Sequence, residues 1–72
     1  MDFASRIVEL RKSHRLTQKE LANKANLSEI GIRNYEGRRR LPSCESLVNL
    51  SKYFKVSTDY LLGLSDNPQV AR

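Results

Sequence analysis

Apolar residues recur every three or four positions along nearly the whole chain, the spacing that places side chains on one face of an α-helix. The repeating positions are Phe3, Ile7 and Leu10, then Leu21, Ala22 and Ala25, then Ile32 and Tyr35, then Leu47, Leu50 and Phe54, and finally Tyr60, Leu61 and Leu64. No stretch alternates apolar and polar residues for long enough to predict a β-strand. The pattern therefore predicts an all-α fold in which these stripes form the core.

Capping residues divide the pattern into five helices. Thr17 and Glu20 have the spacing of a capping box, which predicts that the second helix begins at about Thr17. Asn26 tolerates a left-handed turn and Ser28 is a new N-cap, so the second helix should end near Ala25 and the third should begin at once. The predicted helices cover about residues 2–14, 17–25, 28–36, 44–54 and 57–63. The periodicity ends there, so we expect one domain over residues 1–64 and a flexible C-terminal tail over residues 65–72.

Composition narrows the functional class. The sequence has no run of eighteen apolar residues and no signal-peptide pattern, so we expect a cytoplasmic protein with no membrane partner. One cysteine, Cys44, excludes an internal disulfide, and His14 offers it no nearby partner for a metal. No nucleophile–base pattern or glycine-rich phosphate loop is present, so we expect no enzyme, cofactor or metal. Cys44 could act as a redox sensor only if its thiol were exposed and its pKa lowered.

The charge favours a polyanionic partner. Thirteen Lys and Arg against eight Asp and Glu give a formal charge of +5 and a pI near 9.8. Nucleic acid is the natural partner of so basic a chain, although many small domains are basic for solubility alone.

The second and third predicted helices have the lengths and the short turn of a helix-turn-helix. Ala22 suits the close crossing of the two helices, Asn26 the turn, and Leu27 the space beneath it. The apolar contacts between the two helices would come from Leu21, Ile32 and Tyr35.

Four segments in order carry a family resemblance: LTQKELA at Leu16–Ala22, IxxYE at Ile32–Glu36, RRRLPS at Arg38–Ser43 and VSTDYLLG at Val56–Gly63. Over about residues 3–64 the chain resembles the Cro and repressor type (Xre-like) helix-turn-helix family of phage repressors. The resemblance implies a compact five-helix, lambda-repressor-like DNA-binding domain with its helix-turn-helix at helices 2 and 3. It also implies that helix 3 enters the major groove of a double-stranded operator, usually as half of a homodimer on a two-fold symmetric site.

The resemblance assigns roles to particular positions. Gln18 matches the glutamine that holds a phosphate and braces helix 3, and Arg11 and Glu36 match a structural salt bridge between helix 1 and the end of helix 3. The predicted phosphate contacts are Thr17, Gln18, Lys19, Ser28, Arg38, Arg39 and Arg40. The three consecutive arginines could equally be a solvated run of charge, and in either case they would add affinity and salt dependence but no sequence choice.

The outward face of helix 3 departs from the family, whose members usually have long polar residues there. The predicted base-facing residues are Glu29, Ile30, Arg33 and Asn34. Asn34 could read an adenine, Glu29 could accept from a cytosine amine and Ile30 could lie on a thymine methyl. Gly31 costs about 1 kcal/mol in a helix relative to alanine, which suggests that something packs close to the backbone there.

Two functions remain open at the level of sequence. The first is a sequence-specific DNA-binding transcriptional regulator. The second is a short phage-switch modulator or antirepressor that uses the scaffold to bind a partner repressor and withhold it from DNA, since only about eight residues follow helix 5 and no further domain is expected in this chain. The residues proposed for a protein interface, or for a dimer contact, are Ile30, Gly31, Leu61, Leu62 and Leu64. Burial in the domain's own core is the alternative for the three leucines.

Overall fold

Five α-helices make up the structure, a computed structural model that describes residues 1–69. They are α1 (Phe3–Ser13), α2 (Gln18–Lys24), α3 (Glu29–Glu36), α4 (Cys44–Phe54) and α5 (Thr58–Leu62). No strand occurs within the described range. The predicted all-α, five-helix fold is therefore confirmed, and the predicted helix ends differ from the observed ones only by the capping residues.

The caps form as the sequence predicts. Thr17 and Glu20 make a complete capping box, in which the Glu20 N–H donates to Thr17 Oγ1 at 3.1 Å and the Thr17 N–H donates to Glu20 Oε1 at 2.9 Å. These hydrogen bonds, the backbone one foremost, lower the pKa of Glu20. Ser28, Ser43 and Ser57 cap α3, α4 and α5 in the same way, each accepting from the backbone N–H three residues further on.

The turn between α2 and α3 has the conformation expected of a helix-turn-helix. Asn26 is left-handed, with φ +57°, and the Leu27 N–H donates to the Ala22 carbonyl at 2.8 Å. Ala22 is buried and Leu27 packs against the core beneath the turn. The two helices are thereby held in a fixed mutual orientation.

The core joins all five helices. Its fully buried side chains are Ile7, Leu21, Ile32, Leu50 and Leu61. Leu61 is therefore not available to a partner, and its suggested role in a protein interface is corrected: the alternative reading, burial in its own core, is the one observed. Leu62 is half-buried and Leu64 is 75% exposed.

The N-terminus passes close to the end of α5. Gly63, the C-cap of α5, has φ +79°, and a Cβ there would collide with the Met1 carbonyl oxygen. Both the left-handed backbone and the close approach of the chain require glycine at this position.

Residues after α5 return to the body of the domain. The Ser57 N–H donates to the Pro68 carbonyl at 3.0 Å, and Arg6 reaches the Ser65 carbonyl at 3.4 Å. Flexibility of residues 65–72 stays a prediction, because hydrogen bonds report position and not motion. Residues 70–72 lie outside the described range. Within residues 1–69, none of the helices is both long and apolar enough to cross a membrane.

Candidate nucleic-acid interface

Glu36 anchors α3 to the two helices before it. Its carboxylate accepts from Arg11 Nε at 2.7 Å and from the second Arg11 nitrogen, NH2, at 3.1 Å, while Gln18 Nε2 donates to it at 3.0 Å. Only 15% of the Arg11 side chain and 8% of the Glu36 side chain are exposed. The structural salt bridge and the bracing role of Gln18 are thus both present, and they leave the opposite face of α3 to solvent.

The outward face of α3 carries a charge pair and an exposed apolar side chain. Arg33 donates to Glu29 at 3.1 Å, one helical turn apart, and both side chains are exposed. The pair neutralises the Glu29 carboxylate, which alone would be repelled by a phosphate-lined groove. Ile30 is 68% exposed, so α3 presents a hydrophobic surface beside the charges.

Gly31 packs against the N-cap of its own helix. A Cβ on Gly31 would meet Ser28 Oγ at 3.0 Å, and this hydroxyl accepts from the Gly31 N–H at 2.9 Å. The close neighbour that the sequence suggested is therefore the capping hydroxyl. Ser28 is a predicted phosphate contact, and its hydroxyl is already an acceptor here, which leaves the O–H free to donate.

Arg38 is tied to the N-terminus of α1. It donates to both carboxylate oxygens of Asp2, at 2.8 and 3.2 Å, and to Ser5 Oγ at 2.9 Å. The hydrogen bonds from Arg38 hold the pKa of Asp2 well below its ordinary value, and the same contact raises the pKa of Arg38. Arg38, predicted to contact phosphate, thus already has an anionic partner within the chain.

Arg39 folds back over the end of α3. Its Nε donates to Asn34 Oδ1 at 3.2 Å, and its NH2 approaches the Arg33 carbonyl at 3.5 Å. A guanidinium at the C-terminus of a helix also interacts favourably with the helix dipole. Arg39 is therefore next to a predicted base reader, whereas the sequence placed it among the phosphate contacts.

Arg40 differs from its two neighbours. It is exposed, and within residues 1–69 its side chain makes no hydrogen bond or salt bridge. The exposed start of α2 adds Lys19, whose side chain is solvated, and the capping hydroxyl of Thr17. Arg39 bonds only neutral oxygens, so its charge has no carboxylate partner either, whereas Arg40 and Lys19 are the charged predicted phosphate contacts whose side chains make no hydrogen bond inside this part of the chain.

Sequence reasoning missed Arg6, the one charged residue buried in the described core. Its Nε donates to the Tyr60 carbonyl at 2.9 Å and its guanidinium lies 3.8 Å from the centre of the Tyr60 ring. Arg6 thereby holds α5 and the segment after it against α1. The signal was available, because Arg6 lies between Phe3 and Ile7 on the apolar face of α1, where a charge needs a partner.

The described residues include no group of three or more His, Cys, Asp or Glu side chains arranged to hold a metal ion. Cys44 is exposed in the first turn of α4.

This architecture is that of a helix-turn-helix domain of the phage-repressor type. The chain belongs to the Cro and repressor type (Xre-like) helix-turn-helix family, since the sequence profile described as "Helix-turn-helix" matches residues 7–61. The resemblance inferred from the sequence motifs is confirmed.

Individual relatives agree with this assignment. The chain is 43% identical over 63 residues to the HTH-type transcriptional regulator ImmR of Bacillus subtilis (strain 168), covering 88% of this chain and 50% of ImmR. It is 38% identical over 66 residues to YobD, an uncharacterized HTH-type transcriptional regulator of the same strain, covering 92% of this chain and 59% of YobD. The chain thus spans only about half to three fifths of these relatives.

Among solved structures, the fold is similar to the P22 c2 repressor protein in its crystal structure with a synthetic operator. The TM-score is 0.80 and the identity 32%, over 86% of this chain and 94% of that one.

Proposed function

We propose that this chain is a sequence-specific DNA-binding regulator of transcription that inserts α3 into the major groove of an operator. The observation that carries the proposal is the two-sided character of α3: Glu36 holds one side against α1 and α2, while the other side carries the exposed Ile30 and Arg33 and the half-buried Asn34. The named regulators to which the chain is similar, and the operator complex of the P22 c2 repressor, support it.

Direct base contacts would come from the exposed side of α3. Ile30 would lie against a thymine methyl, Asn34 would hydrogen-bond a base edge, and the neutralised Glu29–Arg33 pair would reach the bases beside them. Their positions on one short helix suit a set of neighbouring base pairs.

Affinity would come from contacts to the sugar–phosphate backbone. Arg40 and Lys19 offer unmatched charge, and Gln18, Thr17 and Ser28 offer hydrogen-bond donors near the start of α2 and α3. Contacts of this kind fix the register of the protein on the duplex and carry no sequence information of their own.

We propose further that two copies bind one operator. Eight residues of α3 extend about 12 Å and can therefore read only about four base pairs, which corresponds to one half-site of an ordinary operator. Leu62 and Leu64 are the candidates for the dimer contact, since Leu61 is buried.

The test is selection from a randomised duplex pool by the purified protein at near-physiological salt, followed by sequencing of the retained DNA. We expect an enriched palindrome whose half-sites are about one helical turn apart. Retention without a pattern would overturn the proposal, because the basic residues alone produce salt-sensitive binding to any duplex.

The exposure of Ile30 favours a second candidate, binding of a partner repressor through α3, since an exposed apolar side chain surrounded by polar ones suits a protein contact. If the selected pool shows no pattern, this candidate takes precedence. An enriched palindrome that is lost in Ile30→Glu would place Ile30 on DNA instead.

A further inference from the structure

The hydrogen bond between Arg39 and Asn34 has a consequence for base recognition. The bond joins Arg39 Nε to Asn34 Oδ1 at 3.2 Å. Guanidinium groups only donate, so the contact requires the amide oxygen of Asn34 to face Arg39 and the amide nitrogen to face away. Asn34 therefore has a defined amide orientation before any partner is bound.

The loop after α3 is built to place Arg39 there. The N–H groups of Arg39 and Arg40 both donate to the Asn34 carbonyl, at 2.9 and 3.3 Å, and Arg38 takes up the left-handed conformation, with φ +59°. These features turn the chain back over the last turn of α3.

Gly37 supplies the space for the guanidinium. A Cβ at this position would lie 2.8 Å from the Arg39 NH1 atom and 2.9 Å from Cζ. The φ of Gly37 is −83°, which any residue can adopt, so conformational freedom does not explain the glycine. The absence of a side chain lets the Arg39 guanidinium lie flat on the end of the helix.

The orientation of an asparagine amide decides which base it can read. Adenine recognition in the major groove uses both ends of the amide, because N6 donates and N7 accepts. Guanine presents two acceptors, O6 and N7, which the amide NH2 group alone can satisfy. With its oxygen turned towards Arg39, Asn34 would direct its amide NH2 group, a donor, to the groove.

We propose that Arg39 is a specificity-determining residue that acts through Asn34 and makes it select guanine over adenine. The inference rests on the proposed function, since it requires α3 to lie in the major groove. The proposal departs from the sequence-based expectations for both residues: Asn34 would read a guanine in place of an adenine, and Arg39 would set base preference in place of contacting a phosphate.

The experiment is selection from the same randomised duplex pool with the wild type and four variants. Asn34→Ala identifies the base position that Asn34 reads, because the preference there disappears. Arg39→Ala removes the hydrogen bond together with one charge. The matched control, Arg40→Ala, removes one charge from the next residue, whose backbone N–H bonds the Asn34 carbonyl but whose side chain makes no hydrogen bond to Asn34. Gly37→Ala displaces the guanidinium and leaves every charge in place.

We expect the wild type to enrich guanine at the Asn34 position. Arg39→Ala should lower the guanine-to-adenine ratio there by at least about fivefold, the effect of one good base contact, and leave other positions unchanged. Gly37→Ala should give the same shift, whereas Arg40→Ala should weaken retention of all sequences and leave the ratio as in the wild type.

Several results would overturn the proposal. Adenine at this position in the wild type would show that Arg39 releases the amide on binding. Equal ratios in Arg39→Ala and Arg40→Ala would show that Arg39 contributes only charge. A wild-type pool without any pattern would overturn the proposed function itself, and the two failures are distinguishable because only the second abolishes the enriched operator. A folding defect in Arg39→Ala, visible by circular dichroism, leaves Gly37→Ala to decide.

Discussion

At the scale of single residues, the three consecutive arginines have three different environments. Arg38 pairs with Asp2, Arg39 bonds Asn34, and Arg40 projects into solvent. Arg38 therefore serves the fold, whereas in the proposed complex Arg39 would orient a base reader and Arg40 would attract phosphate. What separates the three roles is the turn after α3, which points each arginine in a different direction.

The Asp2–Arg38 contact should be visible in the titration of Asp2. The pKa of Asp2 is lowered from its ordinary 3.8, chiefly by hydrogen bonds from Arg38. A group whose folded pKa is lowered contributes stability that is present above the unfolded pKa and is lost as the pH falls below about 3.8 towards the folded value. A carboxyl NMR titration should place the Asp2 midpoint well below 3.8 in the wild type and higher in Arg38→Ala, where the hydrogen bonds from Ser5 still hold the pKa of Asp2 below 3.8.

Asp2→Asn is the complementary variant, because asparagine keeps the N-cap of α1 while losing the charge. Its free energy of unfolding should depend less on pH between about 5 and 2 than that of the wild type. An Asp2 midpoint that does not move in Arg38→Ala would show that the pair is broken in solution.

Ile30 allows a test of base contact by single methyl groups. If Ile30 lies on a thymine methyl, replacing that thymine by uracil in the selected operator should weaken wild-type binding by about 1 kcal/mol, or roughly fivefold. Ile30→Ala should bind the thymine and uracil duplexes equally, because the side chain that senses the methyl is gone. Equal binding of both duplexes by the wild type would remove Ile30 from the base readers.

At the scale of elements, α3 depends on Glu36 for its position. The carboxylate joins the last turn of α3 to Arg11 of α1 and Gln18 of α2, in a mostly buried site. A displacement of the C-terminal end of α3 would tilt the whole outward face of this helix. The ion pair and the core contacts of Ile32 and Tyr35 thus act together to fix one orientation.

Glu36→Gln should therefore be strongly destabilising. It leaves the mostly buried Arg11 guanidinium without a charged partner, and breaking such a pair costs ~3 kcal/mol. Urea unfolding followed by circular dichroism measures the loss.

The matched control for Glu36→Gln is Glu29→Gln, which makes the same change on the same helix. Glu29 and Arg33 are an exposed pair one turn apart, so the expected loss is only about 0.3–0.5 kcal/mol. Equally small losses in both variants would show that the Arg11–Glu36 pair is solvated and does not anchor α3.

At the scale of the whole molecule, the count of thirteen Lys and Arg overstates the number of cations available to DNA. Arg6, Arg11 and Arg38 all lie within 4 Å of carboxylates in the described structure. Salt dependence of operator binding should reflect the unmatched cations and not the formal charge, because the slope counts the phosphates that are neutralised.

Arg40→Ala should reduce that salt slope by about 0.9, the value for one phosphate contact on duplex DNA. Binding should weaken about equally for all sequences. Lys52→Ala, which removes an exposed charge from α4, is the control and should leave the slope unchanged. An unchanged slope in Arg40→Ala would mean that its guanidinium remains in solvent in the complex.

The sequence alone determined the helices, their caps and the helix-turn-helix, because these depend on contacts within a few residues. The 3.6-residue period, the Thr17–Glu20 box and the left-handed Asn26 are local features, and each is found where it was predicted. The Arg11–Glu36 salt bridge could also be predicted from the sequence, because the resemblance to the family implied it although the two residues are far apart along the chain.

Only the tertiary structure decided which charged side chains have a partner within the chain and which way the side chains of α3 face. Leu61 belongs to the core and Leu64 to the surface, although both fit the same helical stripe. Asp2 meets Arg38, and Arg39 turns back onto Asn34 across Gly37, through a loop whose path no periodicity encodes. Local patterns fix where helices begin and end, whereas the pairing of exposed groups depends on how loops bring distant residues together.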